Sequence, residues 1–510
     1  MSKCSAKLFG YNLEFTRRLG YGGLYAEMIY NGKIQNNAAG FYPVEYEGLI
    51  GLGQSTNRIH FMLDKEYKWY IVAGEKVIIR FLNEYQREIF VSTEPKGSFI
   101  CRSNFPYSRV EVVSDSEIKY ISVKPADALY ECRKDVLDMI KALKPQTIRF
   151  PGGCFAEKYV WKDGLLPVEE RPVVPSHGKK YLFSANEGYD GHELNIDDYV
   201  GLCRYVGAEP EYTVRLTQND PMDAAHIVEY CNGDVSTVYG ALRASRGHKE
   251  PYNIRTWYIG NEVGFITDAE QAAELSDRFV EEMLKVDPTI RTVVTTGNKE
   301  NWDEIFLKKA KHIDLCAQHL YILDHDVRNG DMSDALITAD SILLPLLTRA
   351  CKRADGKKIL LDEWNYQWGT FGTSVSALYA ASVMTILIKN AERLNIDGAA
   401  YFALVNEGAI RVYSDHVQMA PDGEVLMRMT GHIGGEIVAN DDNTFVKTLH
   451  DGYSYISVYN NSATHERNLS SVSGEYEILS PNGNYINITN GFGDLKYLPP
   501  ASVAFVKTKL

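Results

Sequence analysis

Short apolar segments recur between residues 8 and 406, and polar residues follow each of them. Eight of these segments are rich in β-branched and aromatic residues, and most precede a stretch with helical spacing of its apolar positions. Alternating strands and helices predict a parallel sheet, and eight such strands predict an α/β fold of the (β/α)8 TIM barrel type. The predicted strands are Leu8–Phe15, Thr147–Phe150, Glu209–Leu216, Ile254–Glu262, Arg291–Gly297, Ile313–Tyr321, Lys358–Glu363 and Gly398–Asn406.

Two helices between these strands are clear in the pattern. Residues Ile266–Val286 open with the capping box Thr267-x-x-Glu270 and then place an apolar residue every three or four positions. Residues Arg133–Leu143 show the same spacing. Each pattern predicts one buried stripe facing the barrel.

Two regions have the period-two pattern of antiparallel strands instead. Residues 32–123 form one, and they separate the first predicted strand from the second by far more than a helical crossover needs. The second region follows the eighth strand and predicts a C-terminal β-sandwich. The expected domains are 1–31 for the first barrel strand and its loop, 32–123 for a β-rich insertion, 124–412 for the barrel and 413–510 for the sandwich.

Composition narrows the possible partners. The 510 residues exceed the length of about 250 typical of one barrel, which agrees with additional domains. A net charge of −13 disfavours nucleic acid and anionic membranes as partners. The start of the chain lacks a secretory signal, and no run of about 18 apolar residues follows, so we expect a cytoplasmic protein. The eight cysteines lack the spacing of a zinc site, and we expect reduced thiols.

Two carboxylates indicate the chemistry. Glu262 and Glu363 each end a short apolar run, where partial burial and neighbouring groups set the pKa of an acid. They are 101 positions apart, so a barrel is needed to bring them together. Retaining glycosidases use two carboxyl groups roughly 5 Å apart, one as acid and base and the other as nucleophile. The pair therefore predicts glycoside hydrolysis.

Several motifs resemble glycoside hydrolase family 51, and they occur in the family's order. The opening segment Phe9-Gly10-Tyr11-Asn12-Leu13-Glu14 is similar to that of the family, and so is Arg149-Phe150-Pro151-Gly152-Gly153-Cys154-Phe155. Three later blocks also match: Gly260-Asn261-Glu262, His319-x-Tyr321 and Asp362-Glu363-Trp364-Asn365. The resemblance implies a retaining exo-α-L-arabinofuranosidase with a (β/α)8 barrel and a β-sandwich, acting on arabino-oligosaccharides. It also implies a homo-oligomer, and no metal or cofactor.

The same resemblance assigns the site residues. Glu262 is expected to be the acid/base and Glu363 the nucleophile, with Arg149 keeping Glu363 ionised. Asn261 is expected to bind the sugar's 2-hydroxyl and Tyr321 to orient the nucleophile. The expected substrate-binding residues are Glu14, Arg149, Cys154, Asn261, His319 and Tyr321.

The residue at one position leaves the identity of the sugar undetermined. Ala403 stands where the family pattern has a glutamine that reaches a substrate hydroxyl, and alanine cannot do so. Two alternatives therefore remain: a related retaining glycosidase acting on another furanoside or a β-glucan, and a carbohydrate-binding protein without activity. The linkage, exo or endo action, the oligomeric state and the role of the β insertion also remain open.

Overall fold

A closed barrel of eight parallel strands lies at the centre of the molecule. The computed structural model describes residues 2–16, 19–35, 38–175, 189–217, 219–296, 300–322, 335, 337–469 and 472–510. In order around the barrel the strands are Gly10–Asn12, Thr147–Phe150, Glu209–Val214, Thr256–Ile259, Arg291–Thr295, Leu315–Tyr321, Lys358–Asn365 and Ile396–Tyr401. The predicted TIM barrel is confirmed. Most strands end earlier than predicted, and the predicted end of the fifth, Gly297, lies outside the described residues.

Helices surround the barrel. Those of eight residues or more are Lys134–Leu143, Ile196–Val206, Pro221–Asn232, Val238–Ser245, Ala269–Val286, Glu300–Lys309, Leu344–Arg353, Ser374–Asn390 and Pro421–Met429. Shorter helical turns are Ala6–Leu8, Gly20–Leu24, Cys154–Glu157, Asp163–Leu165, Val168–Glu170, Val263–Phe265, Ala339–Leu343 and Thr430–His432. Among the described residues, no helix is both long and apolar enough to cross a membrane.

One predicted helix start was wrong. The helix expected from Ile266 begins at Ala269, and its cap is Asp268 rather than Thr267. The Asp268 carboxylate accepts hydrogen bonds from the backbone N–H groups of Glu270 (3.1 Å) and Gln271 (3.0 Å). A carboxylate at this position also interacts favourably with the positive end of the helix dipole, which explains why it serves as the cap.

The insertion consists of two antiparallel sheets packed face to face. One has the strand order Tyr42–Tyr46, Leu49–Ser55, Arg109–Ser114, Val77–Leu82 and Glu88–Ser92, and the other has Lys96–Ile100, Glu66–Val72 and Tyr120–Pro125. Aromatic rings fill the space between the sheets, including Phe61, Phe81 and Phe99, and the rings of Phe90 and Phe99 stack 5.1 Å apart. The insertion therefore has a hydrophobic core of its own.

The C-terminal part is a six-stranded antiparallel sheet with a small second layer. Its strand order is Glu436–Ile437, Phe445–His450, Tyr453–Tyr459, Val503–Lys509, Ser473–Asn482 and Tyr485–Asp494. Arg467–Asn468 pairs with Tyr497–Leu498 to form the second layer, and a small apolar cluster lies beneath it. Two further hairpins join Val174–Pro175 to Tyr189–Asp190 and Ile410–Val412 to Val417–Met419. The C-terminal β module is confirmed, with a second layer that is much smaller than its first.

Candidate active site

The two predicted carboxylates meet at the carboxyl ends of the barrel strands. Glu363 lies in the seventh strand, directly beside His319 of the sixth, and Glu262 lies three residues beyond the end of the fourth strand. A carboxylate oxygen of Glu262 and one of Glu363 lie within 4.8 Å of each other. In a (β/α)8 barrel this is the end where the chemistry takes place.

Glu363 is held by three hydrogen-bonding groups. The Tyr321 hydroxyl donates to its Oε1 at 2.7 Å, Arg149 Nη1 lies 3.5 Å from its Oε2, and His319 Nδ1 lies 3.3 Å from the same oxygen. Burial raises the pKa of Glu363, as does the nearby charge of Glu262, and these two effects outweigh the opposing influence of its three partners. Glu363 is therefore fixed in orientation, and its charge is controlled by its neighbours.

Glu262 is more accessible, with a side chain 29% exposed. Its backbone is left-handed, with φ 48° and ψ 46°, which is unusual for a residue that has a Cβ. Its Oε1 lies 3.0 Å from His319 Nδ1, and its Oε2 accepts a weak hydrogen bond from the Cys154 thiol at 3.8 Å. Burial would raise the pKa of Glu262, but the hydrogen bond and charge of His319, together with Arg149, hold that pKa below its usual range.

His319 lies between the two carboxylates. Its Nε2 lies 3.4 Å from Asp362 Oδ2 on the side away from Glu262 and Glu363. Burial acts to lower the pKa of His319, yet the charges of Glu363 and Asp362 raise it well above 6.5. The neighbouring acids therefore favour the imidazolium form of the ring, and the expected role of His319 in substrate binding stays a prediction.

Arg149 is fully buried below the carboxylates. Its Nη1 lies 3.2 Å from Asp362 Oδ2, its Nη2 donates to Asn261 Oδ1 at 2.7 Å, and its guanidinium carbon lies 4.5 Å from the centre of the Tyr258 ring. The negative charge of Asp362 is the main influence that raises the pKa of Arg149 against burial. Arg149 therefore provides a fixed positive charge next to Glu363.

Asp362 is a member of this cluster that the sequence did not single out. Strict alternation would point it away from Glu363, on the other side of the strand. The register of the seventh strand shifts between Leu361 and Trp364, so that Asp362 and Glu363 both face the barrel interior, and Asp362 is fully buried beside Arg149. The motif around Glu363 contains Asp362, but strict alternation does not predict two adjacent inward side chains.

Glu14 and Cys154 occupy the loops at the same end of the barrel. Glu14 Oε1 accepts a hydrogen bond from the backbone N–H of Phe155 at 2.9 Å, and a Cβ at position 153 would lie only 2.7 Å from Glu14 Oε2. The Cys154 sulfur lies 3.8 Å from Asn261 Nδ2, and burial raises the pKa of its thiol. Cys154 is therefore a protonated thiol rather than a nucleophile.

An aromatic cluster forms the wall beside Tyr321. The ring of Tyr321 stacks on Trp368 at 5.2 Å, and the rings of Phe371 and Phe402 complete the group. Trp368 is 48% exposed, and no motif in the sequence indicated it. Ala403 is fully buried, in an apolar cluster with Leu19 and Phe402. This part of the wall therefore offers a sugar ring a face to stack on rather than a side-chain amide.

The site also contains side chains of the kinds that bind metal ions. One possible ligand atom from each of Glu262, His319 and Glu363 lies within 4.8 Å of the others. In the substrate-free site these groups contact one another directly, with His319 Nδ1 3.0 Å from Glu262 Oε1 and 3.3 Å from Glu363 Oε2.

Comparisons of the sequence find similar proteins among the arabinofuranosidases. The model of the alpha-L-arabinofuranosidase 1 domain matches residues 139–333. An intracellular exo-alpha-(1->5)-L-arabinofuranosidase from Acetivibrio thermocellus is 29% identical over 255 residues, 46% of this chain and 48% of that protein. Alpha-L-arabinofuranosidase C from Emericella nidulans is 32% identical over 226 residues, 42% of each. The matches thus span about half the length of these relatives.

Solved structures share the fold. The structure of arabinose-bound MgGH51 a-L-arabinofuranosidase has a TM-score of 0.78 at 16% identity and covers 100% of this chain and 98% of that one. The alpha-L-arabinofuranosidase from Thermotoga maritima, solved with arabinose, has a TM-score of 0.64 at 22% identity and covers 75% of this chain and 91% of that one.

Proposed function

We propose that this chain is a member of glycoside hydrolase family 51, a retaining exo-glycoside hydrolase that releases terminal α-L-arabinofuranosyl residues from oligosaccharides by double displacement; the match to the alpha-L-arabinofuranosidase 1 domain over residues 139–333 supports this proposal. The observation that carries this proposal is the separation of Glu262 and Glu363, whose carboxylate oxygens come within 4.8 Å. Retaining enzymes have a separation of about 5 Å, whereas inverting enzymes need more space for a water molecule.

The two carboxylates have different roles. Glu363 Oε attacks the anomeric carbon, and the bond to the leaving oxygen breaks as Glu262 donates its proton to that oxygen. A glycosyl ester on Glu363 results. Glu262, now ionised, removes a proton from water, and the resulting hydroxyl attacks the same carbon and releases Glu363. Tyr321 and Arg149 stabilise the ionised form of Glu363 before attack and after release.

The proton for Glu262 has a nearby source. In the substrate-free site the pKa of Glu262 is lowered and that of His319 is raised, so the imidazolium holds the proton. His319 Nδ1 lies 3.0 Å from Glu262 Oε1, and transfer across this hydrogen bond yields neutral His319 and protonated Glu262. We therefore assign to His319 the delivery of the proton that Glu262 uses.

The remaining predicted site residues surround this pair. We propose that Glu14, Cys154 and Asn261 bind sugar hydroxyls and that Trp368 stacks against the substrate. The buried Ala403 favours a second candidate within the same chemistry, a retaining glycosidase for another furanoside or a β-glucan, because no side-chain amide stands there.

Hydrolysis of 4-nitrophenyl glycosides tests the proposal. The α-L-arabinofuranoside is expected to be cleaved, and the β-D-glucoside, β-D-xyloside and β-D-galactofuranoside serve as competitors. Activity on another sugar alone would overturn the arabinofuranoside assignment and favour the second candidate. Measurable glycan binding without hydrolysis of any compound would favour the non-catalytic alternative.

We also propose a cytoplasmic location and a homo-oligomer. Several relatives are named as intracellular enzymes, which supports action on small arabino-oligosaccharides, and the net charge of −13 supports the absence of nucleic acid or anionic lipid partners. Cell fractionation tests the location.

An edge strand supports self-association. Tyr485–Asp494 lies at the end of the C-terminal sheet, bears no charge before Asp494, and exposes Ile488 and Phe492, the latter by 87%. Uncharged edge strands pair readily with a second copy of themselves. Light scattering should show that Phe492→Lys lowers the molar mass of the wild-type assembly. An unchanged mass would remove this strand as the interface. The four-part domain division stays a prediction.

A further inference from the structure

A single carboxylate joins the segments that leave three neighbouring barrel strands. Glu157 is the last residue of the short helix Cys154–Glu157, which follows the second barrel strand. Its Oε2 accepts hydrogen bonds from the backbone N–H of Leu216 (3.2 Å), the backbone N–H of Thr217 (2.8 Å) and the hydroxyl of Thr217 (2.6 Å). Its Oε1 accepts one from the backbone N–H of Asn261 at 3.1 Å. The second, third and fourth strand exits are thereby connected.

The bond to Asn261 fixes the residue directly before Glu262. The side chain of Asn261 is fixed as well, because its Oδ1 accepts from Arg149 Nη2 at 2.7 Å. Glu262 itself has left-handed backbone angles, which are unfavourable for a residue with a Cβ and persist only where neighbouring contacts hold them. The Asn261 backbone is one such contact, and Glu157 determines where it lies.

Gly260 makes this approach possible. It has φ +70°, and a Cβ at this position would lie 2.9 Å from Glu157 Oε1 and 2.9 Å from Leu216 Cβ. A side chain at position 260 would therefore push the strand exit away from the carboxylate.

We propose that Glu157 is a positioning residue that sets the orientation of Glu262 for proton donation; this inference rests on the proposed function. The carboxylate acts through the backbone of Asn261, since its four hydrogen bonds go to Leu216, Thr217 and Asn261 rather than to a reacting group. Four donors around one carboxylate form charge-assisted hydrogen bonds, which are stronger than neutral ones. A glutamine at position 157 has only one side-chain oxygen that can accept these hydrogen bonds. Its NH2 group would replace the second oxygen and would face a hydrogen-bond donor instead of an acceptor.

The test compares leaving groups in Glu157→Gln. Proton donation matters for a poor leaving group such as an unactivated arabino-disaccharide and much less for 2,4-dinitrophenolate. We expect kcat/KM to fall about 100-fold on the disaccharide and less than about 10-fold on the dinitrophenyl glycoside, since small displacements of a catalytic group have costs of this order. Sodium azide, which needs no deprotonation, should accelerate dinitrophenyl glycoside turnover by the variant but not by the wild type.

Thr217→Val is the matched control, because it removes one donor to Glu157 and leaves the three backbone donors in place. It should resemble the wild type on both substrates. Equal losses on both substrates by Glu157→Gln, without an azide effect, would overturn the proposal and leave the proposed function standing. If Glu157→Gln fails to fold, Gly260→Ala tests the same link and should show the same selective loss.

A crystal structure of the variant decides the matter without any activity. We expect residue 262 to leave the left-handed region, with a changed distance between Glu262 Oε1 and His319 Nδ1. If the φ of residue 262 in the variant stays near 48°, its value in the wild type, the proposal for Glu157 is overturned, whatever the activity of the wild type. If the wild type hydrolyses none of the glycosides tested, that result counts against the proposed function and not against the positioning role of Glu157.

Discussion

His319 Nδ1 lies 3.0 Å from Oε1 of Glu262, and the same nitrogen lies 3.3 Å from Oε2 of Glu363. One buried imidazolium therefore contacts both carboxylates that the reaction requires. Its proton is the electrostatic link between the two acids, and its loss at high pH should be detectable in stability as well as in catalysis.

The free energy of unfolding should fall with rising pH because of His319. The pKa of this residue is raised in the folded state, whereas it is about 6.5 in an unfolded chain. Its stabilising contribution is complete below pH 6.5 and is lost as the pH rises through the folded-state pKa. Urea unfolding at pH 6, 7, 8 and 9 should show a steeper decline for the wild type than for His319→Gln. His312→Gln, at a partly exposed histidine, is the control, and parallel curves for wild type and His319→Gln would contradict the prediction.

Replacing the nucleophile should abolish turnover. We expect Glu363→Ala to lower kcat for 4-nitrophenyl α-L-arabinofuranoside by about 10⁴-fold or more, because no other group can form the glycosyl ester. Added azide should restore some turnover and give a glycosyl azide of inverted configuration. Glu250→Ala, at an exposed carboxylate, should retain full activity. Substantial residual hydrolysis with retained configuration would remove Glu363 from this role.

Replacing the acid/base should produce a loss that depends on the leaving group. Glu262→Ala should lose about 10² to 10⁴-fold on unactivated oligosaccharides, which need protonation of the leaving oxygen. Formation of the glycosyl ester from 2,4-dinitrophenyl glycosides should be nearly unaffected, so a burst of dinitrophenolate should precede slow turnover. The pre-steady-state burst is the measurement, and equal losses on both substrates would assign the acid to another residue.

Removing one hydroxyl should shift the acidic limb of the pH profile. The Tyr321 hydroxyl donates to Glu363 Oε1 at 2.7 Å and thereby lowers the pKa of Glu363. Without this bond the pKa rises, so Glu363 becomes protonated at higher pH. We expect the acidic limb of kcat/KM for Tyr321→Phe to move to higher pH and kcat to fall about 10-fold. Tyr85→Phe, at an exposed tyrosine, provides the control. An unshifted limb would show that the hydroxyl does not tune the nucleophile.

The sequence was sufficient for those features that depend on local pattern. Strand period and helical spacing identified all eight barrel strands, and motif identity selected Glu262 and Glu363 together with Arg149, His319 and Tyr321. The strand predictions succeeded because a buried strand needs an apolar run whatever its neighbours are, whereas the roles of the selected side chains stay predictions.

Features that depend on distant contacts could not be predicted. Asp268 rather than Thr267 caps its helix, because the folded backbone places its carboxylate at the free N–H groups of Glu270 and Gln271. Asp362 and Glu363, adjacent in the sequence, both face the barrel interior because of a register shift between strands. The role of Glu157 depends on three strand exits that are up to 104 positions apart along the chain.

The sequence by itself determined that this chain forms a barrel carrying two carboxylates at strand ends. Only the tertiary structure decided that His319 lies between those carboxylates and that Arg149, Asp362 and Glu157 hold the surrounding groups in place. The physical reason is the distance along the chain over which each effect acts. Side-chain period and motif act within a few residues, whereas the distances and pKa shifts of the site arise from groups that the closure of the barrel brings together.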